Sequence, residues 1–218
     1  MKKEKTMALP KLFVVGDSIS VGYSPHLEKF TKGVFQFYGR KTGMEEALKD
    51  LDVPLGSNVG DSSMVLNYLK TMLTNSDWRP EILTLNCGLH DIKTVGGSIQ
   101  IPIEDYRRNL RSILKLLADK DINVIWIRST PVEDEQHNSG QKDFKRYSKD
   151  LDKYNAAADE IMNEAGIRMI DLYSFTRKLG KGKDIYRDHI HYHPEIESLQ
   201  AAYIAGYLQA YYTQNTEA

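Results

Sequence analysis

The chain has 218 residues, enough for a substantial core in one large domain, and 41% of them are hydrophobic against 27% charged. Its 29 Lys and Arg nearly balance 30 Asp and Glu, so no one-signed field favours nucleic acid or an anionic membrane. Cys87 is the lone cysteine and no apolar run approaches the roughly 18 residues of a membrane span, which excludes intrachain disulfides, cysteine-rich zinc modules and membrane insertion.

Residues 1–6 are basic, but the apolar run at 12–15 is too short for a signal peptide. The expected location is cytoplasmic, or periplasmic or secreted if a signal was removed ahead of this numbering. No repeat, low-complexity run or Pro/Gly/Ser linker divides the sequence, so residues 1–218 read as a single domain.

The chain alternates short apolar runs with longer amphipathic ones. Lys11–Val15 reads as a buried strand ended by Gly16-Asp17-Ser18, and residues 33–38 as a weaker second strand. Ser62 or Ser63 can cap a helix carrying Val65, Leu66, Leu69 and Leu73 on one face. Residues 81–86 form a third strand, closed by Cys87-Gly88. Tyr106, Leu110, Ile113, Leu114 and Leu117 then recur at helical spacing. Asn123–Ile127 is a fourth strand, followed by Ser129-Thr130-Pro131 and a polar stretch, 133–142, that reads as a loop bordering the strand ends. Helices over 147–165 and 195–212 flank a short fifth strand at 168–172. Strands separated by helices require crossovers, which imply a mainly parallel five-stranded sheet covered on both faces. The expected fold class is α/β: a three-layer α/β/α sandwich of flavodoxin-like type.

In such a sheet, ligands bind beyond the carboxyl ends of the strands. Gly16-Asp17-Ser18, Cys87-Gly88-Leu89-His90-Asp91 and Ser129-Thr130-Pro131 come directly after strands, and Asn58-Val59-Gly60-Asp61-Ser62 precedes a helix. Serine attacks well only when a base takes its proton and an acid orients that base. Ser18 stands at a strand-to-helix turn, and Asp188 and His191 are three apart, so one turn can set the carboxylate against the imidazole. The backbone N–H groups of Ser18 and Gly60 can hold a developing oxyanion.

These residues resemble the blocks of the GDSL/SGNH hydrolases, in order and over nearly the whole chain. Gly16-Asp17-Ser18 resembles the nucleophile block and Gly60 the glycine block. Gly88-Leu89-His90-Asp91 resembles the third block, and Asp188-Ile190-His191 the final Asp-x-x-His block. The resemblance implies Ser18 as nucleophile, His191 as base, Asp188 as orienting acid, and Ser18 and Gly60 as oxyanion donors. Two positions depart from it. His90 replaces the asparagine that donates the third oxyanion hydrogen bond, and His189 stands where glycine comes after the aspartate. A neutral imidazole can donate one N–H, so His90 is kept as third donor. His189 and His193 become rival bases beside His191.

The same residues admit other roles. His189, His191 and His193 could share a strand face as metal ligands, but Pro194 comes next and Asp188 already explains one of them, so no metal is expected. Cys87 reads as a buried strand-end residue and Asp61 as a carboxylate at a helix N-terminus. Asp91 either orients His90 or caps the segment after it. Arg40, Lys41 and Lys93 read as solvated charges, with contact to an anionic substrate group as the alternative. The sequence thus predicts a cofactor-free serine esterase cleaving a small-molecule or carbohydrate ester, its acyl group short, such as acetyl. The alternatives are a lysophospholipase or thioesterase of the same family, a non-catalytic ligand-binding protein on that fold, and a metal-dependent hydrolase. The oligomeric state is left open.

Overall fold

The computed structural model describes residues 8–37 and 41–216. In chain order the elements are β1 (Lys11–Val15), α1 (Ser18–Phe30), β2 (Gln36–Phe37), α2 (Lys41–Ala47), α3 (Ser62–Thr74) and β3 (Ile82–Leu85). A two-stranded ribbon, β4 (Thr94–Val95) and β5 (Ser98–Ile99), precedes α4 (Ile103–Ala118) and β6 (Asn123–Ile127). The last are α5 (Asp134–Gly140), α6 (Ser148–Glu164), β7 (Arg168–Ile170), α7 (Leu172–Leu179) and α8 (Pro194–Thr216).

The main sheet runs in the order β2-β1-β3-β6-β7, with every neighbouring pair parallel. Continuous apolar runs explain its centre. Leu12, Phe13, Val14 and Val15 are all buried, as are Leu83 and Leu85 opposite them, which only a strand covered on both faces can do. Each such side chain contributes about 1.5–3 kcal/mol on burial. One helical layer is α1, α7 and α8 and the other α3, α4 and α6. On α4 the predicted stripe Tyr106, Leu110, Ile113 and Leu117 faces the core, while Arg107 and Arg111 reach Glu160 and Glu164 of α6. This is the three-layer α/β/α sandwich that the sequence predicts.

The chain leaves β1 for one side of the sheet and reaches β3 on the other, so the crevice opens between the carboxyl ends of β1 and β3. Ser18 lies just beyond the first strand and Gly88 to Asp91 just beyond the second.

Four local expectations change. The cap of α3 is Asp61, whose carboxylate accepts from the Ser63 and Met64 amides, so Ser62 is the first helical residue rather than the cap. Residues 134–140 are a helix rather than a loop. Asp134 and Glu135 suit its positive end, and His137 turns inward against His189. The second strand pairs only at Gln36–Phe37, and Tyr38 lies outside the described residues. The fifth ends at Ile170 because Asp171 caps α7 through the Ser174 amide, a helix the apolar pattern did not reveal.

Candidate active site

Asp17, two residues beyond β1, is extended and caps α1, its carboxylate accepting from the Ile19 amide at 3.0 Å. Ser18 therefore occupies the first helical position, where unpaired amides and the positive end of the helix dipole converge. Its hydroxyl lies 2.9 Å from His191 Nε2, and His191 Nδ1 lies 2.9 Å from Asp188 Oδ2. The other Asp188 oxygen accepts from the Ile190 and His191 amides at 2.9 and 2.7 Å. A local turn thus locks the carboxylate and leaves one oxygen for the ring. Partial burial pushes the Asp188 carboxyl up, but the His191 hydrogen bond and charge, with those two amides, hold it well below the usual carboxylate range. The loop is pinned from behind: the Tyr186 and Tyr192 hydroxyls donate to Pro131 O at 2.8 and 3.4 Å.

Gly60 adopts φ +88°, and a Cβ there would stand 2.7 Å from Met64 Sδ and from Pro54 Cβ, so glycine is required twice over. Two anchors hold it. On one side the Val59 amide donates to Gly16 O at 3.0 Å, and on the other the Ser62 amide donates to both Asp91 oxygens at 3.0 and 3.1 Å. Asp91 therefore neither orients His90 nor caps the segment after it; it serves the start of α3. His90 is 1% exposed, and neither ring nitrogen has a hydrogen-bond partner among the described residues. Burial, aided by the charges of Lys93, Arg146 and His191, drives its pKa far down, so the ring is neutral.

The rival histidines are otherwise engaged. His189 Nε2 lies 2.9 Å from Asp52 Oδ2 and its Nδ1 3.0 Å from His137 Nδ1, while Gln141 donates to the same Asp52 oxygen at 3.0 Å. His193 reaches Lys183 O at 3.1 Å on the surface. Among the described residues, no group of three or more His, Cys, Asp and Glu is placed to hold a metal ion. Residues 133–142 do border the loop that carries Asp188 and His191. Gln136 donates to Asp188 O at 2.8 Å, and Gly140 lies so close to His189 that a Cβ would stand 2.8 Å from its Cβ.

Cys87 is fully buried, which pushes its thiol up and keeps it protonated. Arg40 and the Lys41 side chain lie outside the described residues. Lys93 is not a solvated charge: it is 7% exposed, donates to Asp52 O at 2.9 Å, and lies 4.3 Å from the Phe144 ring centre. The sequence reading missed Asn86, whose amide donates to Ile127 O and Ser129 Oγ. It also missed Asn155, which brackets the Ser129 backbone. These amides knit the ends of β3 and β6 together; an Asn at a strand end was the available signal.

Asp91 gives a stability prediction. Burial raises its carboxyl to about 7, against the pull of the Ser62 hydrogen bonds and with a push from Asp61. An unfolded aspartate titrates at about 3.9, so between about pH 4 and 7 the folded chain keeps a proton that the unfolded chain has released. Stability from this group therefore falls as pH rises through that window. Asp91→Asn is expected to flatten that part of the melting-temperature profile; a profile of unchanged slope would assign the slope elsewhere.

The model of the GDSL-like lipase/acylhydrolase family matches residues 12–204. The chain belongs to that family. No curated protein matches it significantly. Among solved structures, this GDSL chain is similar to a lipase/acylhydrolase from Enterococcus faecalis, at 17% identity and TM-score 0.65, over 93% of this chain and 96% of that one. It is also similar to a GDSL-like lipase from Bacteroides thetaiotaomicron, at 15% identity and TM-score 0.64, over 94% and 92%. A lipolytic G-D-S-L protein from Veillonella parvula matches at 16% identity and TM-score 0.62, over 90% and 96%. At these identities the likeness is one of fold, and ester hydrolysis in general comes from the family. No helix among the described residues is long and apolar enough to cross a membrane.

Proposed function

We propose that this GDSL protein is a serine esterase acting through an acyl-enzyme on small carboxylic esters. The observation that carries it is the unbroken chain Ser18 Oγ–His191–Asp188, with both links at 2.9 Å. Ser18 Oγ attacks the ester carbonyl while His191 Nε2 takes its proton, and ionised Asp188 steadies the imidazolium. The Ser18 and Gly60 amides, with a His90 N–H, meet the oxyanion. Collapse expels the alcohol, which His191 protonates. Water, deprotonated by His191, then attacks the acyl-enzyme; collapse frees the acid and returns the proton to Ser18.

Ser18 and His191 are only 6% and 4% exposed, which supports a short acyl group such as acetyl, carried on a small alcohol or carbohydrate. The test has two parts. A fluorophosphonate should label the wild type at Ser18, because labelling requires an activated serine; an unlabelled protein would overturn the reading in favour of a binding protein. A series of chromogenic esters should be turned over fastest at the shortest acyl chains, acetyl above all; a maximum at long chains would point to a lipase instead.

His90 yields a further prediction. Removing one oxyanion donor costs ~10²–10³ in rate. His90→Ala is expected to lower kcat by that order with little change in KM, because the contact belongs to the transition state. His90→Asn should recover much of the loss through its amide. A near-wild-type kcat for His90→Ala would leave the hole with two backbone members.

A further inference from the structure

Arg146 lies between α5 and α6 and is 2% exposed. Its backbone is bracketed by one side chain: the Arg146 amide donates to Asn138 Oδ1 at 3.1 Å and Asn138 Nδ2 donates to Arg146 O at 2.9 Å. Its guanidinium carbon sits 4.8 Å from the Phe144 ring centre. The Nε donates to Leu89 O at 2.7 Å, while Nη1 is buried with no hydrogen-bond partner. Among the described residues no carboxylate forms an ion pair with it. Asp17 and Asp52 act on it only as nearby charges, and Asp52 is already shared by His189 and Gln141.

A buried guanidinium without a paired carboxylate is costly, so its placement asks for a use. Two observations converge on the same neighbour. The Leu89 carbonyl belongs to the peptide unit that joins Leu89 to His90, so the Arg146 Nε grips the plane from which the His90 side chain departs. The Arg146 charge is also among those that oppose protonation of the His90 ring. Burial is the largest cause of that opposition, and the charges of Lys93, in the same turn, and of His191, in the loop before α8, push the same way.

We propose that Arg146 is the positioning residue of the oxyanion turn, setting the Leu89–His90 peptide and with it the place from which the His90 side chain departs. It acts through His90 and touches no substrate. This rests on the serine-esterase reading above.

The experiment is a double-mutant cycle on p-nitrophenyl acetate turnover. Arg146→Met is expected to lower kcat about tenfold or more with little change in KM. In the His90→Ala background the same substitution should have almost no further effect, because both changes remove one contribution. Arg146→Lys keeps the charge and one donor and should lose less. Should Arg146→Met fail to fold, Arg146→Lys is carried through the same cycle, with a smaller loss and the same non-additivity expected. Equal losses in the two backgrounds, or a lowered melting temperature at unchanged kcat, would overturn the proposal. Fluorophosphonate labelling of the wild type separates the two readings: labelling with an additive cycle removes Arg146 alone, whereas no labelling removes the esterase reading beneath it.

Discussion

Ser18→Ala is expected to reduce ester turnover by about 10⁴-fold or more while leaving the melting temperature almost unchanged. The kinetic half comes from the loss of the attacking oxygen, since the residual rate then depends on water and the oxyanion donors. The stability half comes from the local structure. Asp17, not Ser18, caps α1, and the Ser18 hydroxyl is hydrogen-bonded to His191 rather than to a helix amide. Alanine at the first helical position keeps the cap and favours the helix. Purified wild type and variant would be compared in chromogenic ester turnover and by calorimetry. More than about a tenth of the wild-type rate in the variant would remove Ser18 from the mechanism.

His191→Ala is expected to be nearly as damaging to kcat, and far more so than the same change at either neighbouring histidine. Only His191 bridges the Ser18 hydroxyl and the Asp188 carboxylate. His189→Ala would instead break contacts to Asp52 and His137, which tie the Asp188–His191 loop to α5 and to the segment after α2. Its main effect is therefore a lower melting temperature with a modest loss of kcat. His193→Ala removes one surface contact to Lys183 O and should be close to neutral in both readouts. Turnover and melting temperature of the three variants, measured together, decide the matter. A His189→Ala or His193→Ala loss in kcat as deep as that of His191→Ala, at unchanged stability, would move the base.

The chemistry legible in the sequence was whatever acts over a few residues. Continuous apolar runs mark strands buried on both faces, and β1, β3 and β6 appear within a residue or so of their predicted bounds because Leu12–Val15 and their partners admit no half-exposed arrangement. The offset of three between Asp188 and His191 was equally legible, since the turn that joins them is closed by the Ile190 and His191 amides donating to the Asp188 carboxylate. Weakly patterned segments were misjudged for the complementary reason. Residues 134–140 carry no apolar stripe, and their helix is held by contacts from outside it: Asp134 accepts from the Ser148 amide, and His137 meets His189.

The spacing from Asp188 singles out His191 among three histidines at alternate positions, but what each ring binds across the fold lay beyond any local pattern. Asp52 engages His189 from 137 positions away, and Ser18 meets His191 across 173. Likewise nothing local singles out Arg146, and only the packing that buries it against the Leu89 carbonyl, 57 residues earlier, brings it to the Leu89–His90 peptide. Periodicity and caps are properties of neighbours in the chain. Which buried polar group finds which partner is a property of the closed fold, because each must satisfy its hydrogen bonds with whatever the packed elements bring within reach.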